Sequence, residues 1–267
     1  MGPDVDFMLR RLDQAALSGS SRGDILRTLR ELDFADFARL LWSMPDQRYP
    51  ALSALLPDMA APEVQSAWTG TSGEPLLRQS VDFAQLAAQG FAEIAGRDLH
   101  GKKILDFGCG YGRMARLFYW FTDEDRYFGV DPWPSSLEAC LMSGLTTNFL
   151  LSDEIPSSLP VQGADFDFIF AMSVFTHLSE KVAKVALETL MGHLGVGGVL
   201  LVTVRPPEFW DISPNASEQG LGPTLRAAHE THGFAFLPHD RPALEGQITY
   251  GDTSVAPKWL ERHFPEL

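Results

Sequence analysis

Basic residues are scarce in this 267-residue sequence: 21 lysines and arginines stand against 35 aspartates and glutamates, a formal net charge of −14. Lys102-Lys103 is the only lysine pair, and no basic stripe offsets the acids. Such a field repels phosphate backbones, so DNA, rRNA and tRNA are disfavoured and no nucleic-acid partner is expected. A small neutral or cationic partner is easier to reconcile. Cysteine is nearly absent: Cys109 and Cys140 are too few for a disulfide framework. There is no uninterrupted apolar run of about eighteen residues and no basic-then-apolar leader, so a soluble, cytoplasmic protein with no membrane partner is expected. Repeats and low-complexity tracts are also missing. The spacing of histidines and acids matches no strong ligand motif, so no metal is expected. The apolar content, 45%, supplies the core of one large domain or of a domain with an appendage.

The most informative stretch is Ile104-Leu-Asp-Phe-Gly-Cys-Gly-Tyr-Gly-Arg-Met-Ala-Arg116. An apolar run ends at Asp106, glycines follow at Gly108, Gly110 and Gly112, and a helical pattern begins. That is a strand, a tight turn and a helix start, with a backbone that a ligand can approach closely. The next strand ends on Asp131, 19 residues past Gly112, where a carboxylate can accept hydrogen bonds from a ribose diol. A nucleoside-containing cofactor is the leading inference. The dinucleotide pattern needs G-x-G-x-x-G and a pyrophosphate on a helix N-terminus. Here the spacing is G-x-G-x-G, and Asp106 would repel a pyrophosphate while suiting a cationic amino-acid group. No Lys-Ser or Lys-Thr pair follows the glycines, so a P-loop is excluded.

The arrangement resembles motif I of the class I S-adenosylmethionine-dependent methyltransferases, Asp-x-Gly-x-Gly-x-Gly, with Asp131 matching that family's ribose-binding acid. The resemblance extends through Phe166-Asp-Phe-Ile-Phe-Ala-Met-Ser-Val-Phe-Thr-His-Leu-Ser179, similar to the fourth strand and its loop. It continues through Leu194-Gly-Val-Gly-Gly-Val-Leu-Leu-Val-Thr-Val204, similar to the turn into the fifth strand. It covers roughly residues 100–205 and implies an α/β, Rossmann-like, doubly wound and mostly parallel sheet. S-adenosyl-L-methionine is the implied cofactor. The C-terminal part is similar to small methyltransferases that accompany glycan or specialised-metabolite biosynthesis, which implies methyl transfer to a small-molecule acceptor such as a sugar hydroxyl. The competing readings are a non-catalytic methyltransferase-fold partner or structural subunit, and a nicotinamide oxidoreductase that the glycine spacing and Asp106 disfavour.

Along the chain, residues 1–98 are expected to form an N-terminal helical extension and cofactor-covering segment, and 99–267 the methyltransferase domain. Within 1–44, Ser21 and Asp24 form an acidic capping box. Ile25, Leu29, Leu32, Phe34, Phe37, Leu40 and Leu41 then repeat at helical spacing, as core, as a lid or as a homodimer surface. Pro45 and Pro50 are expected to end that element. Residues 45–75 are expected to be a linker with one short helix near 62–68, followed by a helix over 76–95. Strands are expected near 103–107, 126–130, 147–151, 166–172 and 197–205, and helices near 111–121, 134–142 and 178–192. This alternation predicts a parallel sheet covered on both faces. Residues 206–255 form a variable substrate segment, irregular over 211–223, with a short helix near 224–231 and another beginning at Ala256. Two further sheet strands are expected to be lacking, unless residues 233–250 supply them.

Ligands of such sheets lie beyond the carboxyl ends of the strands, the edge that collects Asp106, Asp131, Ser173, His177 and Arg205. Cofactor contacts are assigned to Asp106, Gly108, Gly110, Gly112, Asp131, Trp133 and Ser173, and cofactor cover to Trp68, Gly70 and Gln79. Phe128 and Phe149 are expected on the adenine side with Trp133. The candidate general base is His177, whose alternative role is a structural bond to backbone. His229, His232, His239, Tyr250 and Asp252 are further candidates in the variable segment. Phe118, Tyr119, Trp120 and Phe121 are expected to pack on the N-terminal helices.

Overall fold

The computed structural model describes residues 3–163, 165–244 and 246–265. Its centre is β1 (Ile104–Phe107), buried at all four positions. Continuous burial is what a central parallel strand covered on both faces requires. The remaining sheet strands are β2 (Tyr127–Asp131), β3 (Phe149–Leu151), β4 (Phe166–Ala171) and β5 (Leu194–Val202), in the order β3-β2-β1-β4-β5. All neighbours pair in parallel, with Ile104 set between Tyr127 and Phe168. The chain winds outward one way from β1 and the other way from β4. A crevice opens between their carboxyl ends, and it is there that the candidate residues gather.

Helices cover both faces. The N-terminal ones are α1 (Pro3–Leu17), α2 (Arg22–Leu29), α3 (Phe34–Trp42), α4 (Pro50–Leu55), α5 (Pro62–Thr69) and α6 (Gly73–Ala95). Ser21 caps α2 by accepting the Asp24 N–H, and Asp33 caps α3 in the same way through Asp36. The apolar stripe of the first helices is buried in one cluster with Phe91, Leu117, Phe118, Phe168 and Phe170, so the extension and the sheet share a core. Phe118 stacks on Phe170 at 4.6 Å, while Phe34 packs against Trp120 and Phe121 at 5.4 Å each. Pro50 starts a helix where the sequence predicts an end. The first amides of α4, at Ala51 and Leu52, donate to the buried Asp13 carboxylate at 2.8 and 2.9 Å. That cap comes from α1, far from the segment it stabilises.

After β1 the predicted helix over 111–121 is reduced to α7 (Ala115–Phe118). The turn is held by Gly112 N–H donating to the Cys109 carbonyl at 2.9 Å. Arg116, fully buried, donates to the Gly112 carbonyl at 2.6 Å and to the Asp58 carbonyl. Its guanidinium ties the turn to the chain ahead of α5. Helices α8 (Pro134–Met142) and α9 (Glu180–Gly192) connect β2 to β3 and β4 to β5.

The C-terminal segment corrects one expectation and bears out another. Residues 211–223 are largely helical rather than irregular, in α10 (Phe209–Ile212), α11 (Pro214–Glu218) and the start of α12 (Gly222–His232). The main sheet lacks a further pair of strands, as expected; β6 (Phe234–Pro238) and β7 (Gly251–Val255) instead form their own antiparallel ladder. Strand β7 is buried throughout because it lies along the chain beyond β4 and β5. Its amides at Gly251, Thr253 and Val255 donate to the carbonyls of His177, Thr176 and Arg205 at 2.8, 2.9 and 3.2 Å. Helix α13 (Pro257–His263) follows and packs Trp259 into the second core cluster, with Phe166 and Leu187.

Candidate active site

The glycine turn is closed from two sides. The N–H groups of Gly108 and Cys109 donate to the Val130 carbonyl at 2.8 and 3.1 Å, locking the turn to the end of β2. Gly108 has φ +79°, and a Cβ there would run into Val174, in the loop after β4. Only glycine lets that loop approach so closely. Gly110 has φ +54° and faces the open cleft, where an added Cβ would meet the Trp68 ring at 3.5 Å. Gly112 faces the other way, toward Leu145, Cys140 and Phe149, and does not line the cleft.

Asp131 organises the cleft floor and is only 5% exposed. Its Oδ2 accepts the Gly110 N–H at 2.9 Å; Oδ1 accepts the Trp133 N–H at 3.0 Å and the Ser136 hydroxyl at 2.7 Å. A carboxylate has about four lone-pair sites, so three are engaged and one remains on Oδ2. Burial pushes its pKa up, against the pull of these three donors. Asp106 is 2% exposed, and Oδ2 accepts the Tyr127 hydroxyl at 2.7 Å. Burial raises its pKa to about 7, with the Tyr127 bond and the charge of Arg113 pulling the other way. Each acid thus keeps unspent acceptor capacity beside the cleft.

The loop after β4 supplies the opposite wall. Ser173 adopts φ +64°, rare for a residue other than glycine, and its N–H donates to the Thr203 hydroxyl at 2.7 Å. Strained backbone of this kind gathers at ligand sites. His177 Nδ1 bonds the Gly251 carbonyl at 2.8 Å, which makes Nδ1 the protonated nitrogen of the neutral ring. Its Nε2 faces the Arg205 guanidinium at 3.4 Å. Burial lowers the His177 pKa to about 4, with the charge of Arg205 acting in the same direction. The imidazole therefore stays neutral near pH 7, held by protein on both nitrogens.

Aromatic rings close the mouth. Trp68 lies 5.8 Å from Trp133, which lies 5.5 Å from Tyr250, and Tyr250 stacks on His177 at 4.9 Å with a 7° interplanar angle. Arg241 sits over the Trp133 and Tyr250 rings at 4.7 and 4.2 Å. Behind them Asp252 gathers Arg205 at 2.9 Å, Asn215 at 2.8 Å and His239 at 3.3 Å. Burial alone would raise the Asp252 pKa, but hydrogen bonds from Asn215 and His239 and the Arg205 charge outweigh it and hold the group below the ordinary range.

The cleft brings together Asp106, Gly108, Gly110, Asp131, Trp133, Ser173 and His177 from the sequence-based set, with Trp68 and Gln79 from the covering segment. Gly70 does not line it, its φ of +77° serving to end α5. Phe128 and Phe149 lie in or beside the core clusters, away from the cleft lining. Arg205 and Asp252 stand one layer behind, as does His239. His229 is buried on Ser254 at 2.8 Å, and His232 lies in the last turn of α12. The sequence reading missed Tyr111, Arg113, Glu154, Arg241 and Thr249, all of which line the cleft. Among the described residues no group of three or more histidines, cysteines and acids is placed to hold a metal ion, and no helix is long and apolar enough to cross a membrane.

Residues 104–198 match the family model of a methyltransferase domain. No curated protein matches the chain. Similar solved structures include DesVI of Streptomyces venezuelae, at 17% identity and TM-score 0.41 over 52% of this chain and 55% of that one. The sugar N-methyltransferase KedS8 of a Streptoalloteichus species is similar at 20% identity and TM-score 0.40, over 54% of this chain and 53% of that one. The plantazolicin methyltransferase BpumL is similar at 16% identity and TM-score 0.45, over 80% and 81%. The chain spans about half the length of DesVI and KedS8. The family uses S-adenosylmethionine. The donor set fits that cofactor: a Cβ-free wall at Gly110, two acids with spare lone pairs and an unpartnered buried hydroxyl on Tyr111. Over residues 104–198 the chain is thus similar to a methyltransferase domain.

Proposed function

We propose that this protein transfers a methyl group from S-adenosylmethionine to a small-molecule acceptor, a sugar hydroxyl or a specialised metabolite. One observation carries the proposal: at the carboxyl ends of β1 and β2, two incompletely satisfied acids flank a glycine turn whose open side faces an aromatic lid. When bound, S-adenosylmethionine supplies an electrophilic methyl group on a sulfonium. The protein's part is to hold the reactants and exclude water. Asp131 offers its free Oδ2 lone pair to a ribose hydroxyl while its other sites keep the turn in place. Asp106 offers a carboxylate to the ammonium end of the cofactor. Trp68 and Trp133 close over the turn.

The acceptor enters on the side walled by His177, Tyr250, Arg241, Glu154 and Thr249, where Thr249 donates to Glu154 at 3.2 Å. Aromatic faces there suit the C–H face of a sugar or a planar metabolite. In-line displacement gains much of its acceleration from orientation alone. With a pKa near 4, His177 is a weak base. We assign its Nε2 the task of exchanging the contact from Arg205 for a hydrogen bond from the acceptor and receiving the proton only as the methyl transfer proceeds. Calorimetric titration with S-adenosylhomocysteine, with NADH in parallel, tests the cofactor class. Micromolar binding of the former alone is expected, followed by turnover in an acceptor screen that begins with sugars. Binding of NADH alone, or of neither, would overturn the reading.

A further inference from the structure

Two groups in the cleft are costly where they stand. Tyr111 is 2% exposed, lines the cleft, and its hydroxyl has no hydrogen-bond partner. An unsatisfied buried donor carries a real penalty unless a ligand or water meets it. Two residues on, Arg113 lines the same cleft. Its Nη1 donates to the Ser80 hydroxyl at 2.7 Å, and Nη2 approaches the Met172 sulfur at 3.4 Å. Both partners are neutral. Among the described residues Arg113 forms no ion pair with a carboxylate, in a chain with many more acids than bases. Three of its five N–H donors are unspent.

A half-buried guanidinium without a counter-ion is unfavourable, and the Asp106 charge attracts it without a hydrogen bond between them. Asp106 bonds Tyr127 instead. The cleft therefore presents one acid and one base side by side, each with unused capacity. A dianionic phosphate would meet Asp106 and be repelled. A zwitterion satisfies both, its ammonium on Asp106 and its carboxylate on Arg113, whose planar fork matches carboxylate geometry.

We propose that Arg113 and Tyr111 form a carboxylate-binding site that fixes the amino-acid end of the cofactor. The assignment rests on the S-adenosylmethionine reading above. Arg113 supplies the charge and two parallel donors, and the Tyr111 hydroxyl supplies a third donor. The site sets how deep the cofactor sits and hence where its sulfonium points. It also accounts for Ser80 on α6: its hydroxyl accepts from Arg113 and donates to the Leu76 carbonyl at 2.6 Å, holding the guanidinium toward the cleft.

The test compares two ligands by calorimetry. S-adenosylhomocysteine carries the amino-acid end; 5′-deoxy-5′-methylthioadenosine keeps the nucleoside and the thioether but lacks it. Arg113→Leu is expected to weaken S-adenosylhomocysteine by about 10- to 100-fold and to leave methylthioadenosine nearly unchanged. Tyr111→Phe removes one hydroxyl and little volume, so its loss is expected to be smaller, about 3- to 10-fold, with the same ligand selectivity. Unchanged melting temperatures would show that the variants fold, and Tyr111→Phe keeps the test decisive if Arg113→Leu does not. Equal losses for both ligands, or none for either, would overturn the carboxylate site while leaving the cofactor reading standing. Failure of the unsubstituted protein to bind either ligand would overturn the cofactor reading and this assignment with it.

Discussion

Loading the cleft below neutral pH should cost a proton. Asp106 is almost completely buried, and its pKa rises from 3.8 to about 7 because burial disfavours the charged carboxylate more than Tyr127 and Arg113 favour it. Below that pH the side chain of the empty site is a neutral acid. An ammonium group needs the carboxylate, so cofactor binding must first ionise it. Each pH unit below the pKa costs about 1.4 kcal/mol. Between pH 7, where the carboxyl is half ionised, and pH 5 the affinity for S-adenosylhomocysteine is therefore expected to fall by about 50-fold, roughly 2.3 kcal/mol. Titrations at pH 5, 6, 7 and 8, in buffers of different ionisation enthalpy, read both the affinity and the number of protons released. One proton should be released at the acid end and none well above pH 7. Methylthioadenosine, which has no ammonium, and Asp106→Asn should each give flat profiles. A flat profile for S-adenosylhomocysteine between pH 5 and pH 7 would refute the pairing of Asp106 with the ammonium.

The same group affects the unliganded protein with a definite sign. Below about pH 4 its carboxyl is protonated folded and unfolded alike, and the term vanishes. Between pH 3.8 and about 7 the unfolded chain ionises first, so stability falls as pH rises. Above about pH 7 both states are ionised and the penalty is constant, at most about 4 kcal/mol from the size of the shift. Asp106→Asn removes the term, so it should gain stability over the unsubstituted protein as pH rises through that window, read from melting temperatures. A difference independent of pH would contradict the buried-acid account.

Asp131→Ala should weaken S-adenosylhomocysteine by about 1–3 kcal/mol, the scale of a lost charge-assisted bond, and should also lower the melting temperature, since Gly110, Trp133 and Ser136 lose their acceptor. Unchanged affinity in calorimetry would remove Asp131 from the site. Gly110→Val and Gly112→Ala should separate: the first fills the space below Trp68 and abolishes cofactor binding in a folded protein. The second drives a methyl into Leu145 and lowers the melting temperature. Normal binding by Gly110→Val would sink the cleft assignment. His177→Ala should slow turnover about 10- to 100-fold with cofactor affinity unchanged, which is modest for a base because most of the acceleration comes from orientation. An unaltered rate would leave His177 as a tie between the loop after β4 and strand β7.

What the sequence made legible is what lies within about twenty residues. Strand β1, the glycine turn and the acid at Asp131 follow one another closely, and each constrains the next: the turn's amides need the β2 carbonyl, and Asp131 needs the Gly110 amide. The five sheet strands were legible for the same reason, since alternation and burial are properties of short segments. Helix α4 was not, because its start is stabilised by Asp13 from a different helix, while Pro50, taken alone, signals an end as readily as a beginning. The helix expected over 111–121 is overextended because nothing local announces that Arg116 will turn inward to bind the carbonyls of Tyr111, Gly112 and Asp58.

The acceptor wall is the extreme case. It joins Glu154 after β3, His177 after β4 and, before β7, Arg241, Thr249 and Tyr250, three segments with no shared period. The chemistry of His177 depends on that assembly. From its neighbours in sequence it is a histidine with an ordinary pKa near neutrality. Strand β7 then brings the Gly251 carbonyl to one nitrogen, the chain after β5 brings the Arg205 guanidinium to the other, and Tyr250 stacks on the ring. The Gly251 bond fixes the tautomer, while burial and the Arg205 charge outweigh that bond's upward pull and move the pKa to about 4. A position can be inferred from a motif, whereas a proton's affinity for that position is a property of the folded surroundings. The pH–rate profile is therefore the sharper probe of His177: the limb owed to it should rise through about pH 4, and a limb that rises near pH 6.5 and is lost in His177→Ala would mean that the imidazole is solvated in the working enzyme.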